Sequence, residues 1–239
     1  NFYLLQEDTT RPLIRKIDTL SNRQIRITFS EKVILDSTFR IILSDSLNGD
    51  TLQVLGSSFS EDNSDQLQIF FSGLPAARNI SLQLQGIADL AGNMALNNLL
   101  NSSFVAAISP DTASPKLLEI VPSSRQTEVL FGAPVIVKFS VPVDSDSYKK
   151  SLQLTDQDSS VISGYFNFVD LGKPVFKPQL SLKSNTSYHL RLDLSSLEDL
   201  WQRSFLDTVM VQEFTVQDAA NLGEISGQVT SPYHGQIQA

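Results

Sequence analysis

The chain carries one pattern twice, and this limits its fold more than any other feature. Pro12 precedes Ile27-Thr28-Phe29-Ser30-Glu31-Lys32-Val33, and Pro115 precedes Val137-Lys138-Phe139-Ser140-Val141-Pro142-Val143. Further on, Ala88-Asp89-Leu90-Ala91-Gly92-Asn93 is matched by Glu198-Asp199-Leu200-Trp201-Gln202-Arg203, and Phe104 by Phe214. The offset is 110 at the Phe-Ser motif (139 − 29), at the aspartate (199 − 89) and at the closing phenylalanine (214 − 104). At the prolines it is 103 (115 − 12), which places a short insertion between proline and Phe-Ser in the second copy. A unit of this length is a whole domain, because solenoid repeats run roughly 20 to 50 residues.

Within each copy, apolar residues recur at every second position. Ile25, Ile27 and Phe29 alternate with Gln24, Arg26 and Thr28, and Ile80, Leu82 and Leu84 with Ser81, Gln83 and Gln85. The second copy repeats this with Val135, Val137 and Phe139, and with Tyr188, Leu190 and Leu192 against His189, Arg191 and Asp193. Period two is the signature of strands with one face in a core and the other in water. Further strands are predicted over Leu13–Ile17, Arg40–Leu43, Thr51–Leu55, Leu67–Phe71 and Ser103–Ala107. The second copy adds Leu117–Val121, Ser151–Thr155, Gly164–Val169, Val175–Lys177 and Val209–Val216. No segment sustains a helical period; Met94–Leu100 and Ser196–Trp201 each accommodate one helical turn. Roughly seven short strands per hundred residues imply an all-β chain of two tandem antiparallel sandwiches. Phe29, Leu82 and Phe104 are expected in one core, and Phe139, Leu190 and Phe214 in the other.

The copies begin with shared punctuation, Asp8-Thr9-Thr10-Arg11-Pro12 and Asp111-Thr112-Ala113-Ser114-Pro115, whose prolines stiffen the joints. This sets expected domains at 9–108 and 109–218. Phe2-Tyr3-Leu4-Leu5 stands before the first joint as Phe104 to Ile108 stands before the second, so residues 1–8 read as the last strand of a preceding repeat. Residues 219–239 change pattern and read as the start of a further, truncated β domain. The chain is expected to be a slice of a longer array.

Composition excludes several functions. The net charge of the 239 residues is −8 and no Lys/Arg cluster occurs, so nucleic acid is a poor partner. The absence of cysteine removes thiol catalysis and cysteine-ligated metal. No stretch reaches the roughly 18 apolar residues of a membrane span. His189 sits on the polar face of a strand and His234 near the C-terminus, and both read as surface histidines. No nucleophile elbow, zinc-binding helix or phosphate loop is present, and nothing nominates a catalytic pair among the 26 acidic residues. The expectation is a non-enzyme without a resident cofactor.

Pro12, the Ile27 to Val33 strand, Ala88-Asp89-Leu90-Ala91-Gly92-Asn93 and Phe104 together resemble the bacterial Ig-like domain first described in S-layer proteins. The resemblance covers essentially all of the first copy. The second is looser, with Trp201-Gln202-Arg203 in place of Ala-Gly-Asn. Gly223 to Val229 is similar to the first strand of carboxypeptidase-regulatory-like domains. The resemblance implies a secreted or cell-surface bacterial protein in which such modules act as spacers or adhesive units. Their partners would be other domains of the same chain, a surface protein or a polysaccharide.

Two loop features have functional readings beside structural ones. The Asp89 to Asn93 loop reads as a tight turn, with positive φ at Gly92 and Asn93, backbone N–H groups on the Asp89 carboxylate and Leu90 plugging the sandwich end. Its functional reading is a calcium site formed by Asp89, Asn93 and Asp111 from the linker. Trp201 occupies the matching loop of the second copy. It either stacks on a sugar, as in a carbohydrate-binding accessory module of a surface glycan-utilisation system, or covers the end of a core or the neighbouring domain. Glu31 and Lys32 read as a solvated strand end.

Overall fold

A computed structural model of the chain describes residues 8–60, 63–112 and 114–223. The expected strands at residues 1–7, the strand beginning at Gly223 and the histidine at 234 lie, wholly or beyond their first residue, outside the described residues.

The first half folds into eight strands: β1 (Ile14–Ser21), β2 (Gln24–Phe29), β3 (Val33–Asp45), β4 (Thr51–Leu52), β5 (Val54–Ser60), β6 (Asn63–Phe71), β7 (Asn79–Asp89) and β8 (Leu99–Val105). They form two sheets, ordered β1-β2-β6-β5 and β4-β3-β7-β8. The alternating positions converge between them. Ile25, Ile27 and Phe29 of β2 and Leu67, Ile69 and Phe71 of β6 face Leu43 of β3, Ile80, Leu82 and Leu84 of β7, and Phe104 of β8, all buried. The intervening polar residues pair across the ladder on the other face, as where Gln24 Nε2 donates to Gln68 Oε1 at 2.6 Å.

The second half contains β9 (Leu117–Val121), β10 (Gln126–Val129), β11 (Val135–Phe139), α1 (Ser145–Ser151), β12 (Leu152–Asp156), β13 (Gly164–Asn167), β14 (Val175–Pro178), β15 (Ser187–Asp193) and β16 (Val209–Val216). Its sheets are β13-β14-β11-β9 and β10-β16-β15-β12. Its core joins Val135, Val137, Phe139 and Phe176 to Leu154, Tyr188, Leu190, Leu192 and Phe214. Both halves are Ig-like β-sandwiches, antiparallel except where β10 runs parallel to β16. That strand lies between Pro115 and Phe139, a stretch seven residues longer than the one between Pro12 and Phe29 (139 − 115 = 24 against 29 − 12 = 17).

Several expectations needed correction. The single strand expected at Thr51–Leu55 is two: Leu52 pairs with Leu43 in one sheet, and Val54 with Phe71 in the other. The chain changes sheets at Gln53, a move that period-two patterning does not encode. The polar stretch Gln126–Val129 and helix α1 were not anticipated. Helix α1 is too short for a period but is well capped: Asp144 Oδ1 accepts from Ser147 N at 2.8 Å, and Lys149 and Lys150 close the last turn. His189 is partly exposed, as expected, with Nε2 at 4.0 Å from Glu213 Oε2. No helix among the described residues is long and apolar enough to cross a membrane.

Candidate functional site

The loop after β15 begins at Asp199, a carboxylate with no solvent exposure. Its Oδ1 accepts from the backbone N–H groups of Trp201 and Arg203, at 2.8 and 2.9 Å, and folds the loop around itself. Gln202, the residue that turns back, has φ +62°. Arg203 Nε then reaches Asp199 Oδ2 at 2.6 Å, while its terminal nitrogens meet Asp111 Oδ2 at 3.0 Å and the Asp111 carbonyl at 3.4 Å. One guanidinium therefore bridges the loop carboxylate and the linker carboxylate. Burial works against the charge on Arg203, but Asp199 and Asp111 outweigh it and hold its pKa above the ordinary arginine value.

This loop is docked against the first sandwich. Trp201 Nε1 donates to the carbonyl of Phe71 at 2.9 Å, and the indole meets the Phe70 ring edge-on, with centroids 6.3 Å apart. Two guanidinium carbons approach the indole, Arg203 at 5.0 Å and Arg23 at 5.7 Å from its centroid. A Cβ built on Gly56 of β5 would lie 3.8 Å from Leu200 Cδ1, so the loop tip rests on that strand. Asn22 ties the linker down from the first sandwich, with its Oδ1 accepting from Asp111 N at 3.1 Å and its own N–H donating to the Ser109 carbonyl at 3.0 Å. Beside these contacts an open groove of about 510 Å³ runs between the sandwiches, lined by Gln24, Gln66, Gln68, Lys138, Asp170 and Trp201 among others.

The matching loop after β7 has the same skeleton. Asn93 N donates to Asp89 Oδ1 at 2.7 Å, Gly92 has φ +89°, and Asp89 is buried. The Asn93 amide donates to Asp89 Oδ2 at 2.8 Å and to the Asp8 carbonyl at 2.9 Å, where Arg203 binds Asp199 and the Asp111 carbonyl in the second loop. The Asn93 amide, opposed by burial and joined by the N–H groups of Asn93, Ala91 and Gly92, holds the Asp89 carboxyl below its ordinary pKa. Leu90 does not plug the sandwich end as expected but is 67% exposed.

The expected ligand set is thus only partly assembled. Asp89 and Asn93 meet, but Asp111 belongs to Arg203 and the other loop. The carboxylates that converge on Asp89 are Asp8 and Glu31, with oxygens all within 4.8 Å of one another. Sequence reasoning took Asp8 for joint punctuation and Glu31 for a solvated strand end; the repeat alignment of Asp8 with Asp111 was the signal available. Trp201 is a junction residue here, its N–H and ring engaged within the chain.

Comparison with known proteins finds a family match in the second half. Residues 111–216 match the family of bacterial Ig-like domains. Surface layer protein SbsC, domains 1-6, is 13% identical over 87% of this chain and 26% of its own, with a TM-score of 0.37. CopC from Methylosinus trichosporium OB3b is 17% identical over 46% of this chain and 99% of its own, at 0.33. An L,D-transpeptidase from Mycobacterium smegmatis is 18% identical over 44% of this chain, at 0.31. The chain spans 37% to 42% of the length of the L,D-transpeptidases it matches. No curated protein matches it.

Proposed function

We propose that this chain is a non-catalytic, stiff spacer segment of a secreted or cell-surface bacterial protein, in which Ig-like sandwiches hold other parts of the protein at a set distance and angle. The observation that carries this reading is the junction. A loop of the second sandwich is anchored to the first by the Trp201–Phe71 hydrogen bond, and the linker is clamped from both sides by Asn22 and Arg203. Such contacts cost conformational freedom in the linker, and their effect is to restrict the angle between domains, which a flexible tether does not need. The bacterial Ig-like match over residues 111–216 supports the same reading. The carbohydrate-binding alternative draws less support, because the ring it would use already contacts Phe70, Arg23 and Arg203.

Small-angle scattering of the 239-residue chain tests the proposal. One interdomain arrangement should fit the data, and Trp201→Ala should broaden the distance distribution while each sandwich stays folded. A wild-type profile that requires freely jointed domains would overturn the spacer reading. A defined, Trp201-dependent hit on a glycan array would replace it with the lectin-like one.

A further inference from the structure

The two sandwiches differ along one flank. In the second, β10 lies parallel to the last strand, β16, where Arg125 N donates to the Glu213 carbonyl at 2.6 Å and Gln217 N to the Val129 carbonyl at 2.9 Å. In the first, β1 turns directly into β2, and β8, the counterpart of β16, ends its sheet with no strand beyond it among the described residues. By the offset of 110, Ser103 and Ala107 stand where Glu213 and Gln217 turn their peptide groups toward β10. Peptide direction alternates along a strand, so the N–H and C=O groups of Asn101, Ser103 and Val105 point away from β7. The neighbouring bonds agree with this. Ala106 N donates inward to the Arg78 carbonyl at 2.8 Å, and Asn79, opposite Val105, gives its carbonyl to Ser46 N instead.

Nothing in β8 blunts this edge. Sheet edges are usually protected by charge, proline, a bulge, shortness or a cover. The other edges of the first sandwich follow that rule: β1 carries Arg15, Lys16 and Asp18, β4 has two residues, and Gly56 of β5 faces Leu171 and Leu200 of the second sandwich. β8 is Leu-Leu-Asn-Ser-Ser-Phe-Val, without charge or proline, and pairs with β7 from Leu99 to Val105 without a bulge. Its flank is open, for a groove of about 410 Å³ runs between β1 and residues 102–105.

We infer that the β8 edge is a self-association surface, on which β8 of a second copy of this chain pairs antiparallel about Ser102. The strand is chemically alike read from either end in that register. Leu99 meets Val105 of the partner subunit, Leu100 meets the partner's Phe104, Asn101 meets the partner's Ser103, and Ser102 meets the partner's Ser102. Apolar therefore faces apolar and polar faces polar. The residues whose peptide groups point outward also pair with one another, as the hydrogen-bonded positions of an antiparallel ladder require. No like charges oppose each other on the strand itself. Arg15 and Lys16 lie across the groove on β1, where Asp18 holds Lys16 at 2.7 Å. Such a contact uses the same patch on both copies and closes as a two-fold dimer. It goes beyond the spacer reading and does not rest on it.

Sedimentation velocity of the full chain from about 1 μM to about 1 mM, the span of moderate to weak association, provides the test. The wild type should pass from monomer to dimer across this range. Asn101→Lys combined with Ser103→Lys sets lysine opposite lysine at two exposed positions and should weaken the dimer at least about tenfold. Ser103→Pro, whose lost N–H points away from β7, should block pairing independently. Tyr165→Lys, which charges the exposed face of β13 in the second sandwich, should leave the dimer intact. The register has its own readout, because the chain contains no cysteine. Cα atoms of a non-hydrogen-bonded antiparallel pair stand about 4.5 Å apart, within disulfide reach. Mild oxidation should therefore trap Ser102→Cys as a covalent dimer and leave Asn101→Cys, which lies off the axis, uncrosslinked. A wild type that stays monomeric to about 1 mM, a dimer indifferent to the two lysines or lost in Tyr165→Lys, or one that Ser102→Cys does not trap would overturn the inference.

Discussion

Trp201 Nε1 and the carbonyl oxygen of Phe71 lie 2.9 Å apart across the boundary between two sandwiches, so the only tryptophan of the chain reports on the junction. Behind it stands Arg203, whose side chain is about a quarter exposed and neutralises the fully buried Asp199. Arg203→Ala leaves that carboxylate without its cation. Breaking a buried pair costs about 3–5 kcal/mol, and partial exposure of the arginine lowers the expectation to about 1–3 kcal/mol. Urea unfolding should show this loss in the second sandwich, and tryptophan emission should shift to the red before either domain unfolds.

Tyr148 of helix α1 is buried among Phe139, Phe166 and Phe168, with ring centroids 6.0, 5.9 and 5.8 Å away, and its hydroxyl has no partner among the described residues. Burial pushes its pKa far above the ordinary tyrosine value, so the hydroxyl stays neutral. An unsatisfied buried hydroxyl costs about 1–3 kcal/mol. Tyr148→Phe is therefore expected to be neutral or to stabilise by about 1 kcal/mol, and Tyr148→Ala to cost about 3–5 kcal/mol. A clear loss of stability in the phenylalanine variant, measured by denaturant titration, would show that the hydroxyl has a partner such as a buried water.

Acid should weaken the second sandwich in part through Asp156. The Ser160 N–H, at 2.9 Å, lowers its pKa most; burial opposes this, and the Asp158 N–H and Lys183 add to the lowering. A carboxyl whose folded pKa lies below its unfolded value near 3.8 contributes stability that is complete above that value. The contribution is lost as pH falls through the folded pKa. Melting temperature is expected to be steady from neutral pH to about pH 5 and to drop below about pH 4. Asp156→Asn keeps an oxygen for the two N–H groups and should make the acid limb shallower.

Gly86 faces the irregular register of β3 between Leu35 and Arg40, with φ +76°. A Cβ there would lie 2.5 Å from the Phe39 backbone nitrogen. Gly86→Ala should destabilise the first sandwich by more than the 1–3 kcal/mol, approximately, of backbone strain alone. Gly92→Ala provides the comparison: its φ is also positive, but no atom lies within 4 Å of the added carbon, so only the strain remains.

The sequence by itself determined the fold class and the cores. Alternation places one face of each strand against the opposite sheet, and Phe29, Leu82, Phe104, Phe139, Leu190 and Phe214 are buried as that pattern requires. Short or irregular pieces were not legible. Helix α1 lasts too few residues for a period and is set by its Asp144 cap, and β10 is a polar edge whose place comes from pairing with β16. The site residues were half legible, because Asp89 and Asn93 are neighbours in the chain and their turn is a local structure. Tertiary structure alone decided that Asp111 is held by Arg203, that Glu31 and Asp8 approach Asp89, and that Trp201 faces Phe71. These contacts join residues far apart in sequence, and their geometry depends on how strand ends and loops meet in space, which no periodicity records.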